Sequence, residues 1–341
     1  VKDHAHGDVW KVWAYAALSI VLGAIAAPWI HNLGKALEEI TRGKRLNIAI
    51  DRLAQLCRDS DYTDFYQFSI ILAFTLLLFP LISWLSVGTG APAFSPNPWR
   101  IRLPHHTSST HAGQPLRPDP HGPLNALTGF VIAAGLFLLL AWLLTTAGSF
   151  RWQSKPPGID SLLFKLLPTA LATALILEFL FRGIILGVFL RAMRPSAAIS
   201  MSALIFALIL FLQPSSNTIL TTPDAPPSGL NFLAQLASRF ADPKSLAISF
   251  IPFLAMGSIL AYARWRTSSL WLPFGLHAGW SFTVHLFAEI ANPVPRAEPL
   301  ANLLSGQTLQ QGLLPLGILA LTAFITHLTT QSHAGNQAQP R

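Results

Sequence analysis

The run Leu175-Ile-Leu-Glu178-Phe-Leu-Phe-Arg182-Gly183-Ile-Ile decides the fold, because it sets two opposite charges inside a long apolar stretch. Around it, Leu162 to Leu190 is almost wholly apolar. That length exceeds the ~20 residues that cross a bilayer as a helix. A charge at bilayer depth costs roughly 2.5–3.5 kcal/mol on insertion scales, so it is seldom kept without a use. A spacing of four residues sets Glu178 and Arg182 on one helix face, where each neutralises the other. Two readings stay open at this point. The pair is either a packing device or part of a buried polar site.

The rest of the chain agrees with a membrane setting. Its 341 residues are 52% hydrophobic and 11% charged, against about 25% charged in an ordinary soluble domain. The fold class expected is all-α, a polytopic membrane helical bundle of about eight transmembrane helices. A β-barrel would show short alternating segments instead of continuous apolar ones. The net charge of +8 does not point to nucleic acid, since the basic residues are scattered between spans. Positive flanks of membrane helices account for them. One cysteine, Cys57, excludes an intrachain disulfide. The first apolar run has no small-residue cleavage site followed by a soluble domain, so it reads as a retained span.

The eight spans are expected near 10–31, 68–88, 125–147, 162–191, 196–213, 245–263, 269–290 and 312–328. They group into N-terminal membrane helices and loops (1–148), a membrane core (160–291), and a final helix with a polar, disordered tail (292–341). Spans four and five, joined through Arg194-Pro195, form an antiparallel hairpin. The most charged stretch, Lys35 to Asp64, carries Leu46, Ile50, Leu53 and Leu56 near helical spacing. That pattern predicts an amphipathic interfacial helix. The positive-inside rule makes this loop cytoplasmic, with both termini outside. Leu230, Leu233, Leu236 and Phe240 predict a second short helix on the membrane surface.

Span seven carries His277, Ser281, His285 and Glu289, each four residues from the last. They form one slanted polar stripe, which should face the bundle interior. Interhelical hydrogen bonding as packing glue is the reading favoured for His285 and Glu289. His277, deeper in the span, is the stronger functional candidate. His105, His106, His111 and His121 lie in a Pro/Gly/Ser loop without helical His spacing, and read as solvated rather than zinc-binding. Trp10, Trp13, Trp29, Trp84, Trp99, Trp142, Trp152, Trp265 and Trp271 lie close to span ends and read as interfacial anchors.

Three segments together resemble the CPBP family of membrane proteins, which includes type II CAAX prenyl endopeptidases and bacteriocin-processing or bacteriocin-immunity proteins. The family pattern is Glu-Glu-x-x-x-Arg, Phe-x-x-x-His and His-x-x-x-Asn on separate membrane helices. Here Leu177-Glu178-Phe-Leu-Phe-Arg182, Phe206-Ala-Leu-Ile-Leu210 and His277-Ala-Gly-Trp-Ser281 stand in those places. The flank Ala263-Arg-Trp-Arg-Thr-Ser-Ser-Leu-Trp resembles the family too. The resemblance covers about 160–290. It implies an integral membrane protein of a bacterial cytoplasmic membrane, with the bilayer and a hydrophobic or lipidated peptide as partners. It implies a (metallo)endopeptidase, with a divalent metal such as zinc if active. It implies site roles for Glu178, Arg182, His277 and Ser281, with His277 as the metal ligand.

The same comparison shows departures. The family's first glutamate falls on Leu177, the histidine of its second motif on Leu210, and its asparagine on Ser281. No histidine lies between His121 and His277, so no shift of alignment restores the missing one. Peptide hydrolysis needs a base for water and donors for the oxyanion. Leucine supplies neither. Glu178, as a substitute base, is rotated about 100° from position 177. Weakened or lost catalysis is therefore expected, with a silent scaffold or immunity-like binding protein as the alternative. A small transporter using the polar stripe is a third class, disfavoured by the missing inverted repeat.

Overall fold

The computed structural model describes residues 2–42, 47–86, 121–153, 158, 160, 162–214, 228–294 and 303–337. Within them the chain is a bundle of helices. They are α1 (Lys2–Thr41), α2 (Ile48–Asp59), α3 (Tyr62–Ser86), α4 (Gly122–Thr146), α5 (Leu167–Glu178), α6 (Leu186–Ala192), α7 (Pro195–Phe211), α8 (Gly229–Ala237), α9 (Ile251–Thr267), α10 (Trp271–Ile290) and α11 (Leu313–Gln337). Three loop histidines of the sequence, His105, His106 and His111, lie outside the described residues. So does most of the Pro-rich turn before α8.

All eight expected spans are helical. Six helical stretches are long and apolar enough to cross a membrane, among them Gly7–Thr41, Phe164–Leu190 and Pro243–Thr267. The other two fall short for different reasons. α7 is an apolar helix of 17 residues. α10 has 20 residues, but its polar stripe dilutes its hydropathy. The protein is thus an all-α integral membrane protein, with six such spans among the described residues.

The fourth span is one helix with two widened turns. π-helical segments occupy Leu162–Leu166 and Phe179–Ile185, flanking α5. Such turns add a residue to the ladder and occur often at functional sites. The second one holds Arg182 and Gly183. α7 starts at Pro195, whose missing N–H and fixed φ suit a first helical position. It packs back on α6, giving the expected hairpin.

Two packing units hold the site. α10 lies mainly on α4 and α5, while α9 lies on α7 and α11. The α4–α10 contact depends on small residues. A Cβ on Gly279 would lie 2.5 Å from the Phe130 carbonyl oxygen, and one on Gly275 would strike the Ala126 carbonyl. Close backbone approach of this kind is how membrane helices gain van der Waals contact without a hydrophobic drive. A two-stranded antiparallel pair, β1 (Phe150–Trp152) with β2 (Ala291–Pro293), ties the end of α4 to the end of α10. Short strands of three residues lack the length for periodicity to betray them.

Three surface expectations meet different outcomes. α2 leaves Ile50, Leu53 and Leu56 exposed, as an interfacial helix would. α8, expected on the membrane surface, docks one face on the protein and leaves Leu230 exposed. Phe232 and Leu236 are buried, and the Phe232 ring meets Tyr62 and Tyr66 at 5.6 and 4.8 Å. The tail expected to be disordered after Leu328 stays helical to Gln337. Extending an existing helix avoids the nucleation cost, and the Thr330 hydroxyl bonds back to the Thr326 carbonyl at 2.8 Å.

Candidate functional site

Glu178, at the end of α5, points into the bundle. Its Oε1 accepts a hydrogen bond from Arg182 Nη1 at 3.0 Å and from His277 Nδ1 at 2.6 Å. An ionised carboxylate only accepts, so the shared proton of the second contact belongs to Nδ1 of the imidazole. Glu178 and Arg182 are 1% and 0% exposed, and His277 is buried. The i, i+4 pair anticipated from sequence therefore exists, and α10 adds the histidine as a third member.

Arg182 is held on more sides than its carboxylate partner alone explains. Nη2 donates to the Gly257 carbonyl of α9 at 3.1 Å. The guanidinium lies over the Phe206 ring of α7, 4.3 Å from its centroid, within the range of a cation–π contact. Phe206 also meets His277 edge-on at 5.9 Å and Phe181 at 5.1 Å. One aromatic ring of α7 thus contacts both partners of Glu178. Gly257 went unnoticed in the sequence. Its lack of a side chain matters here, since a Cβ would sit 3.0 Å from Ala203 Cα and 3.1 Å from Phe206 Cδ1. The only sequence signal was a small residue in an apolar span.

No other family position hydrogen-bonds to this cluster among the described residues. Leu177 and Leu210 are partly buried and pack against the apolar core. Ser281 is buried, yet its hydroxyl points down its own helix, 3.4 Å from His285 Nδ1. His285 Nδ1 in turn donates to the Ser281 carbonyl at 2.7 Å. The polar stripe does not stay inside, in contrast to the expectation. His285 is exposed, and Glu289, half-exposed, reaches Lys165 at 3.5 Å. A 100° step per residue accumulates 40° over each four, so a stripe begun in the core turns outward near the helix end. Among the described residues the bonds of His285 stay within α10, whereas Glu289 reaches across to Lys165. Trp280, beside Ser281, is fully buried against Phe137 at 6.0 Å, unlike the exposed interfacial tryptophans Trp10, Trp29 and Trp84.

The donor set does not fit a zinc site. Zinc catalysis takes about three protein ligands and an open position. Here one carboxylate and one imidazole meet, the Oε1 atom is already engaged twice, and leucine stands at 210. No group of three or more His, Cys, Asp or Glu side chains able to hold a metal forms among the described residues. Two cavities lie among other residues. One of 560 Å³ is bounded by Trp142, Phe150, Arg151 and Trp152 near the strand pair. Another of 410 Å³ is lined by Phe74, Leu78, Leu175, Ile176 and Phe179.

Neither the curated proteins nor the solved structures match the chain. Residues 159–283 match the family model described as type II CAAX prenyl endopeptidase Rce1-like, which supports the chain's membership of the CPBP family.

Proposed function

We propose that this chain is a catalytically silent member of its family. It keeps the helical core of an intramembrane endopeptidase and uses that core to bind a membrane-embedded hydrophobic or lipidated peptide partner. The family itself points to CAAX-type intramembrane proteolysis. The observation that carries the silent reading is the closed Glu178–Arg182–His277 cluster. The buried Glu178 carboxylate accepts from Arg182 and from His277 through one oxygen, Oε1, and leucine stands at positions 177 and 210. A carboxylate oxygen that already accepts from a guanidinium and an imidazole has little capacity left to hold and orient a water.

A residual peptidase is the second reading, and one observation favours it. Glu178 Oε2 is buried and has no hydrogen-bond partner among the described residues. That atom is the place where a water would be held if Glu178 still acted as base, with His277 orienting it.

Purified protein is expected to leave a prenylated or hydrophobic peptide uncleaved above background. Loss of a base or an oxyanion donor each typically removes about 10²-fold or more in rate. Such losses do not simply add, because groups of one site act as a unit. Cleavage by the unmodified protein that disappears in Glu178→Gln would end the silent reading and assign Glu178 as the base. Photocrosslinking of a lipidated peptide to α5 or α10 in the uncleaved state tests the binding role directly.

A further inference from the structure

Seven residues beyond Gly257 on α9, the chain buries a second arginine. Arg264 is 2% exposed, and among the described residues neither its Nε nor its Nη2 has a hydrogen-bond partner. Seven residues are almost two full turns, so Arg264 lies on the same buried face as Gly257, about 10 Å further along the axis. Its neighbours on that face, Leu260 and Ala261, are apolar and fully buried. The interior column thus carries two guanidinium charges, and one carboxylate, Glu178, which is already paired with Arg182. A guanidinium does not lose its proton in a protein, and an isolated buried charge is strongly unfavourable unless something pairs with it.

The position of Arg264 identifies the kind of partner. The helical stretch Pro243–Thr267 is 25 residues long, about 37 Å at helical rise, against roughly 30 Å of hydrocarbon. Arg264 falls in its last turn, where hydrocarbon gives way to headgroups. Trp265 and Trp271 flank it, as interfacial aromatics do. Arg266, two residues beyond Arg264, is partly buried and donates from Nε to the Thr330 hydroxyl of α11 at 3.5 Å. The chain then reverses through Ser268, which holds a left-handed φ of 49°. α10 begins directly after, the Trp271 N–H donating to the Ser269 hydroxyl at 3.4 Å, so its positive end lies at the same membrane boundary. The arginine stem is long enough to carry its fork across one helical turn toward that boundary.

We propose that Arg264 is the anchor of a phosphate-binding site at this end of the bundle, and that the phosphate is the headgroup phosphodiester of an anionic phospholipid. A planar fork whose Nε and Nη2 are both without a partner among the described residues offers one two-donor edge, which suits a phosphate's paired oxygens. The site is separate from the Glu178 cluster and does not depend on whether that cluster is catalytic.

The test is thermal unfolding of the full chain in lipid-stripped detergent, with and without phosphatidylglycerol. Saturating lipid is expected to raise the Tm of the unmodified protein by about 5 °C. Arg264→Met keeps the volume and removes the charge. It is expected to unfold at a higher temperature than the unmodified protein in the lipid-free state, and to lose the lipid shift. Arg266→Met, the neighbouring control, should retain most of it. Inorganic phosphate alone, added at matched concentration, separates the two sources. A small shift from phosphate supports the lipid, and a full shift overturns the lipid assignment in favour of the free ion. A phosphatidylglycerol shift of equal size in Arg264→Met overturns the site altogether. If that variant is not recovered folded, Arg264→Lys, which keeps the charge and loses the fork, is expected to show about half the shift; an undiminished shift likewise overturns the site.

Discussion

Two arginines on the buried side of one helix pair live under opposite conditions. Arg182 has a carboxylate at 3.0 Å, a carbonyl at 3.1 Å and an aromatic face at 4.3 Å. Arg264, two turns along α9 from that carbonyl, has two nitrogens with none of these among the described residues. Both are enclosed and both stay charged. The difference lies in which elements surround them. Around Arg182 four helical segments converge with polar or π groups, while around Arg264 the neighbouring positions of α9 are Leu260 and Ala261. The contrast separates a charge used to fix the fold from a charge left over by it. Only the second kind asks for something from outside the chain.

The largest effect should come from breaking the satisfied end. Glu178→Leu leaves Arg182 as a buried charge without its counter-ion, a change that typically costs about 3–5 kcal/mol. Loss of Tm well beyond that of an ordinary core substitution is the expected outcome in thermal unfolding. The double variant Glu178→Leu/Arg182→Leu removes both charges together and should recover most of that loss, because a buried pair is often no better than a well-packed apolar one. A double variant no more stable than the single one would mean that the Gly257 and Phe206 contacts of Arg182, rather than its ion pair, hold the helices. The comparison sharpens further with Arg182→Met, which should destabilise, while the matching change at Arg264 goes the other way in lipid-free detergent.

His277 comes next in size. Its Nδ1 bond to a charged acceptor at 2.6 Å belongs to the class worth roughly 1.5–3 kcal/mol. His277→Phe keeps the ring volume against Phe206 and removes that bond. A moderate Tm loss is expected, smaller than for Glu178→Leu, since Arg182 still neutralises the carboxylate. An effect equal to Glu178→Leu would place the imidazole, and not the guanidinium, as the principal partner of Glu178.

Much of this contrast was legible in the amino-acid order, and its limits have physical causes. The Glu178–Arg182 pair follows from a four-residue spacing and the cost of a lone charge in lipid. The inward face of His277 follows from the same cost. The link between them joins residues 99 apart in sequence, and the motif order of the family pointed to it where periodicity alone did not. The outward turn of His285 and Glu289 follows from the 40° drift of a four-residue stripe, which the sequence displays but which matters only once the helix end is known. The Gly257 carbonyl left no trace at all, because every residue has a carbonyl and only packing says which one is reached. Arg264 was visible as part of a motif flank, yet nothing in its neighbours along the chain says that it is enclosed.

The smallest effect tests the quietest part of the paired end. A Cβ on Gly257 would lie 3.0 Å from Ala203 Cα, 3.1 Å from the Ala203 carbonyl oxygen and 3.1 Å from Phe206 Cδ1. Two of these are backbone atoms of α7, which yield only if α7 and α9 move apart by a few tenths of an ångström. Overpacking of one methyl into a close contact costs about 1–3 kcal/mol, and the lower end is expected here, because Phe206 can shift at its rim. The movement has a specific consequence, since the Gly257 carbonyl is the acceptor for Arg182 Nη2 and Phe206 is the ring beneath its guanidinium. Gly257→Ala should therefore lower Tm modestly in the unmodified background and by less in the Glu178→Leu/Arg182→Leu background, where no guanidinium remains to be displaced. Equal losses in both backgrounds would show that the glycine serves only the α7–α9 approach, and that the carbonyl contributes nothing measurable to holding Arg182.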